Sequence, residues 1–297
     1  MTAQEKGFLL LTSHLGDPQR KVLTMAQMRL LAGCVAASSI GEREGTVTAE
    51  DLMSMGFNRP SAHRILDLLS QEEQLQWYLE KAAHQDCAPL TRISEKYPLI
   101  LRKRLGLDSP GCLWTKGDLC VLDTPMIALV GSRDLREENR GFAENLGRQA
   151  AEQGITLVSG NARGADRTAQ DACIAAGGRV ISVVSDALVR HPLRKNVLYI
   201  SEDGYDIPFS SQRALSRNRV IHGLGYITFV AQSSLGKGGT WHGTLANLKW
   251  GWSPVLCFND GSEAFLELTQ RGAEAVTTQM LHDISALQIK QYDFLDQ

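Results

Sequence analysis

A doubly wound, mainly parallel α/β sheet preceded by a small helical domain is the fold class that this sequence predicts. Three observations carry the expectation. From residue 126 onward, short apolar runs alternate with amphipathic helical stretches, the pattern of a parallel sheet covered on both faces. Residues 1–88 show helix starts and helical periodicity instead. The chain of 297 residues, 43% hydrophobic and 22% charged, has the size and composition of two ordinary soluble domains.

Taken in order, Thr24-Met-Ala-Gln27 has capping-box form and opens a run with Met25, Met28, Leu31 and Val35 on one face. Thr48-Ala-Glu-Asp51 and Ser70-Gln-Glu-Glu73 read as further helix starts, as does Asn58-Arg-Pro60 with proline in the first turn. Such a bundle serves either as an adaptor for DNA or protein or simply as packing. Residues 89–125 carry Pro89, Pro98, Pro110 and Pro125 and read as an irregular connector. The expected division is therefore 1–88 and 89–297, the connector belonging to the second part.

Met126–Val130 is a continuous apolar run, followed by a helix with Phe142, Leu146 and Ala150 in register. Ile155–Val158 is the next strand, then a helix with Ala169, Ala172, Cys173 and Ala176 on one stripe, stopped by Gly177-Gly178. Val180–Val184, Tyr226–Val230 and Pro254–Phe258 complete the strands, the last two separated by a helix around Thr244–Trp250.

Composition excludes several classes. No run approaches the roughly 20 apolar residues of a membrane helix, and the N-terminal apolar run of four residues is too short for a signal core. A cytoplasmic protein is expected. The six cysteines include no C-x-x-C pair, so no metal site is expected, and Cys34, Cys173 and Cys257 read as buried thiols. The net charge of −2 means that any phosphate binding must come from a local cluster.

Ligands of such sheets bind at the carboxyl ends of the strands. Three turns there are rich in glycine and polar groups. Gly131-Ser132-Arg133 offers a hydroxyl, amides and a guanidinium fork to an anion, or is an ordinary strand exit. Ser159-Gly160-Asn161-Ala162-Arg163-Gly164-Ala165-Asp166 places small residues and an arginine before a helix start, where amides and dipole favour a negative ligand. Asp166 caps that helix or orients Arg163. Gly236-Lys237-Gly238-Gly239-Thr240 offers a lysine and further amides. None fits the dinucleotide or P-loop pattern. Arg213, Arg217, Asn218 and Arg219 form a basic segment. Arg213 and Arg217 stand at i, i+4, and no acid occurs between Asp206 and Asp260, so an anion or a distant acid must separate them.

With these residues, the sequence resembles the DprA/Smf family of DNA-processing proteins, Rossmann-like relatives of the LOG-type phosphoribohydrolases. The resemblance spans about residues 95–260. It runs through Tyr97-Pro98, Gly131-Ser132-Arg133, Ser159-Gly160, Ala162-Arg163-Gly164 with Asp166, and Ser201-Glu202. It continues through Arg217-Asn218-Arg219 and Gly239-Thr240 with Thr244. It implies single-stranded DNA as partner, held by Arg133, Arg163, Arg217 and Arg219 with Ser132, Gly160 and Lys237 shaping the pocket. It also implies a homodimer that aids a RecA-type recombinase in natural transformation, without cofactor or catalytic residues. The chain departs from the family pattern at His191-Pro192 and in extra residues between Pro208 and Ser216, and the tail after Met280 is too short for a winged helix. A LOG-type hydrolase or a nucleotide sensor is the alternative. Hydrolysis needs a carboxylate near an oxocarbenium-like centre. The segment Gly238–Asn247 has no acid, leaving Glu202 and Asp166. Phe209, Trp241, Trp250 and Trp252 are candidate stacking residues, and His242 reads as packed or solvent-facing.

Overall fold

The computed structural model describes residues 1–38, 40 and 46–287. Five helices come first: α1 (Ala3–Thr12), α2 (Met25–Ala36), α3 (Ala49–Ser54), α4 (Arg59–Leu69) and α5 (Glu72–Ala83). Thr24 and Gln27 close the expected capping box on α2, and Thr48 with Asp51 does the same on α3. Ser70 differs from expectation. It is the C-cap of α4 and its hydroxyl donates to the Asp67 carbonyl, so α5 starts after Gln71 without a side-chain cap.

Residues 89–125 are more regular than their prolines suggest. β1 (Cys87–Thr91) and β2 (Cys112–Lys116) pair antiparallel, with α6 (Leu99–Leu105) between them. Pro89 lies on the outermost strand, where a missing N–H is tolerated. Pro98 stands at the N-cap of α6.

The sheet continues with β3 (Met126–Val130), β4 (Thr156–Ser159), β5 (Val180–Val183), β6 (Val197–Ser201), β7 (Thr228–Val230), β8 (Val255–Phe258) and β9 (Glu274–Val276). Its order is β1-β2-β6-β5-β4-β3-β7-β8-β9. β3 to β9 are mutually parallel, and β2 joins β6 antiparallel. From β3 the chain winds outward through β4, β5 and β6, then returns to β7 on the other side of β3. The topological switch point therefore lies between the carboxyl ends of β3 and β7, where ligands of such sheets bind.

Alternate strand residues enter opposite layers. Ile127, Leu129, Leu157 and Val180 meet α7 (Glu137–Glu152) and α8 (Ala165–Ala175) through Phe142, Leu146, Ala169 and Cys173. Ala128, Val130, Val158 and Ile181 meet the layer containing α6, α10 (Asn218–Leu224), α11 (Gly238–Trp250) and α12 (Glu263–Gln270). Helices α2, α3 and α4 close a core of their own around Leu31, Leu52, Ile65 and Leu68. α1 and α5 also face the sheet: Leu9, Leu10, Leu75, Tyr78 and Ala82 join its core. Cys173 and Cys257 are buried as read, whereas Cys34 is only half-buried on α2. Among the described residues, no helix is long and apolar enough to cross a membrane.

Candidate functional site

A cleft of about 460 Å³ opens at the switch point. Its floor is the end of β3, its sides are the loops after β4 and β7, and α9 (Ser211–Ser216) closes it. It gathers Gly131, Ser132 and Arg133 from the first loop, Asp166 from the second, Arg217 and Asn218 from the basic segment, and Lys237, Gly239 and Thr240 from the third.

The β3 and β7 loops are locked together. The Ser132 amide donates to the Gln232 carbonyl at 2.9 Å, so that amide is not available to a ligand. Thr240 Oγ1 donates to the Gly131 carbonyl at 2.9 Å, which ties α11 to β3. Asn218 Nδ2 donates to the Gly239 carbonyl at 3.1 Å. Arg133 and Lys237 are exposed and, among the described residues, make no side-chain hydrogen bond or ion pair. No side chain caps the start of α11, whose first-turn residues Gly238, Gly239 and Thr240 line the cleft with amides that have no partner among the described residues.

The second loop is built differently from its sequence reading. The resident anion there is Asp166 itself. Its carboxylate accepts from the Ala162 amide at 3.2 Å and pairs with Arg217 at 3.8 Å, while Gly164 is the N-cap of α8. Burial pushes the Asp166 carboxyl up, and the Arg217 charge and the Ala162 and Gly160 amides oppose that push. The Ala165 amide is taken by the Ser132 carbonyl. Gly164 has φ +88°, and a Cβ there would run into the Ser132 and Arg133 carbonyls. At Gly160 a Cβ would occupy the space of the Arg217 guanidinium, which therefore lies directly on that glycine. Arg217 is buried, and its Nη1 donates to the Val183 carbonyl.

Four expected contacts lie elsewhere. Ser159 is buried and its hydroxyl accepts from Gln170 at 2.8 Å. Arg163 stands at the rim, paired with Asp134 at 2.7 Å in full solvent. Arg213 is used up as a clamp: it pairs with Asp203 at 2.7 Å and donates to Ser201 and to the Ser185, Ile207 and Pro208 carbonyls. Arg219 turns away to Glu202 at 2.5 Å and to the Asp108 carbonyl. Burial pushes the Glu202 carboxyl up, and Arg219 opposes it. The segment is two short helices joined at a single residue. α9 ends at Ser216 and α10 begins at Asn218, but Arg217 between them keeps helical backbone and its amide donates to the Arg213 carbonyl at 3.0 Å, so the two arginines do stand one turn apart, each with its own acid, Asp203 for Arg213 and Asp166 for Arg217.

Of the stacking candidates, Phe209 lines the cleft and is half exposed, at 51%. Trp241 is buried in the core, Trp252 packs against it, and Trp250 is exposed at the far end of α11. Leu215, Ser233 and Ser234 line the cleft without a sequence signal that marks them.

A family model described as DNA recombination-mediator protein A matches residues 88–286. The chain is 30% identical over 213 residues to Protein Smf of Escherichia coli K12, covering 66% of this chain and 54% of that protein. It is 31% identical over 141 residues to DNA processing protein DprA of Streptococcus pneumoniae, covering 44% of this chain and 50% of that protein. It thus spans about half the length of the curated relatives it matches. Its fold is similar to that of DprA from Streptococcus pneumoniae, with a TM-score of 0.67, 22% identity and coverage of 90% of this chain and 99% of that one. It is also similar to that of DNA processing protein A from Helicobacter pylori, with a TM-score of 0.56, 24% identity and coverage of 68% and 96%. The family match over the whole sheet and the strand-end loops makes this chain a member of the DNA recombination-mediator protein A family, the DprA/Smf proteins.

Proposed function

We propose that the switch-point cleft binds the sugar-phosphate backbone of single-stranded DNA, and that the chain acts as a recombination mediator. The observation that carries this reading is the convergence of Arg133 and Lys237, from the loops after two adjacent strands, on one cleft with the open start of α11. Two unpaired cations and a helix dipole together favour an anion. Phe209 and Leu215 supply an apolar side to the same cleft. An unpaired nucleobase can stack on such a ring, whereas a base inside a duplex cannot. The Helicobacter pylori relative is described as having a single-stranded-DNA binding mode. Homodimer formation and delivery of the strand to a RecA-type recombinase belong to the same proposal, through the family. Asp166 and Glu202, the carboxylates nearest to serving N-glycoside cleavage, are both engaged with arginines, which supports binding over bond cleavage.

The test is a binding titration of oligo-dT and of duplex of equal length across a salt series. Tighter binding of oligo-dT is expected, with log K falling linearly against log salt as phosphates displace counterions. Equal or better binding of duplex, or affinity indifferent to salt, contradicts the proposal.

A further inference from the structure

The loop from Glu202 to Ser210 carries Phe209 into the cleft, and besides Arg219 on Glu202 and the Val189 amide on the Tyr205 carbonyl, two further anchors outside the cleft hold it. One is Arg213, which holds Asp203 and the Ile207 and Pro208 carbonyls. The other comes from far upstream. Tyr78 of α5 donates its hydroxyl to Asp206 Oδ1 at 2.7 Å.

Tyr78 is well placed to hold that loop. Its ring is buried, edge-on to Trp114 of β2 at 5.2 Å and tilted against Tyr205 of the loop at 4.7 Å. Gly204 sits so close that a Cβ there would meet the Tyr78 hydroxyl and Ile207. Gly16, in the turn after α1, packs on the same ring and faces Asp206. Burial and the Asp206 carboxylate raise the phenol well above its usual range, so its proton stays in place to donate. The N-terminal helices and the cleft wall thus meet at this hydrogen bond and the ring contacts around it.

We propose that Tyr78 is a positioning residue of the cleft: through Asp206, helix α5 fixes the loop that presents Phe209 and so sets the affinity for strands that carry bases. This rests on the reading of the cleft as a single-strand site. The physical reason is preorganisation. A wall ordered before binding spares the ligand the cost of ordering it.

Tyr78→Phe keeps the ring and removes the donor. Asp206→Ala removes the acceptor at an exposed position, and decides alone if Tyr78→Phe does not fold. Both are compared with wild type and Phe209→Ala for binding oligo-dT and an abasic sugar-phosphate oligomer of equal length. Wild type is expected to prefer oligo-dT. Tyr78→Phe and Asp206→Ala are each expected to weaken oligo-dT about five- to tenfold, as partial loss of one stacked base would, and to leave the abasic oligomer within about twofold. Added to Phe209→Ala, Tyr78→Phe should cost nothing further. Wild-type affinity in both variants, or equal weakening of both oligomers with a lower Tm, overturns the inference. A wild type that binds neither oligomer strikes the reading of the cleft itself. A wild type that binds both oligomers equally retains a phosphate site but removes the stacking role, and the inference with it.

Discussion

Arg213, Arg217 and Arg219 are close neighbours in the chain, yet each uses its donors differently. Arg213 is a clamp, Arg217 lies buried against Asp166, and Arg219 neutralises Glu202. Arg133 and Lys237 are the cations left for a ligand. Arg219→Gln should therefore cost about 2 kcal/mol of stability, less than a fully buried pair because the arginine is partly exposed. Oligo-dT affinity measured below the melting transition should be unchanged. The sign with pH follows from Glu202. Without Arg219 only the lesser pull of Arg213 opposes the upward push of burial on its carboxyl. A group with a raised folded pKa contributes stability below its unfolded value, 4.5, and loses it as pH rises. The deficit of Arg219→Gln should then be smaller at pH 4.5 than at pH 7.5 in denaturant melts. Gly160→Ala should do two things at once, because its Cβ displaces the Arg217 guanidinium: lower the Tm and weaken oligo-dT binding. Sequence marked this basic segment but not the partition among its arginines. Asp203 and Glu202 lie just upstream of the acid-free stretch, and Asp166, the partner of Arg217, is remote from it in sequence.

At the scale of elements, the two helix starts at the cleft differ in what fills them. α8 carries its own anion in Asp166, whereas α11 starts with Lys237, two glycines and no cap. β3, β4, β5, β7 and β8 were legible because buried parallel strands read as unbroken apolar runs, whereas β6, Val197–Ser201, was not read as a strand. β1 and β2 were not, because four prolines in residues 89–125 dominate the local signal, while Pro89 on an edge strand and Pro98 at a helix start disturb nothing. The seat of α11 makes a further contrast. Trp241 anchors the helix in the core and Phe209 does not. Trp241→Ala should cost about 3–5 kcal/mol in a urea titration. Phe209→Ala should stay within about 0.5 kcal/mol and weaken oligo-dT by the roughly 1–3 kcal/mol of one stacked base.

Over the whole molecule, the winding of the sheet creates the site. β3 and β7 are distant in sequence and adjacent in the sheet, and their loops meet because the chain reverses direction between them. Beneath the cleft, α10, α11 and β7 share a buried polar network. His222 Nδ1 is 3.2 Å from both Thr228 Oγ1 and Asn247 Nδ2, and the Ser253 hydroxyl contacts the same threonine and asparagine. Burial pushes the His222 imidazole down to about 3. Its folded value is below the unfolded one, so it contributes stability above pH 6.5 that is lost on acidification. Global stability should fall by up to about 1.4 kcal/mol per pH unit between 6.5 and 3 from this residue. His222→Gln should flatten that slope in melts from pH 7 to 4.

The claim on which the account depends is that Arg133 and Lys237 together hold phosphate in one cleft. The salt dependence of oligo-dT binding, measured for wild type and for the Arg133→Gln, Lys237→Gln double variant, tests it most directly. Loss of two contacts should make the log–log slope shallower by about 1.4, at roughly 0.7 per single-strand phosphate, with the Tm unchanged. A double variant that keeps the wild-type slope and affinity would place the DNA elsewhere on the molecule.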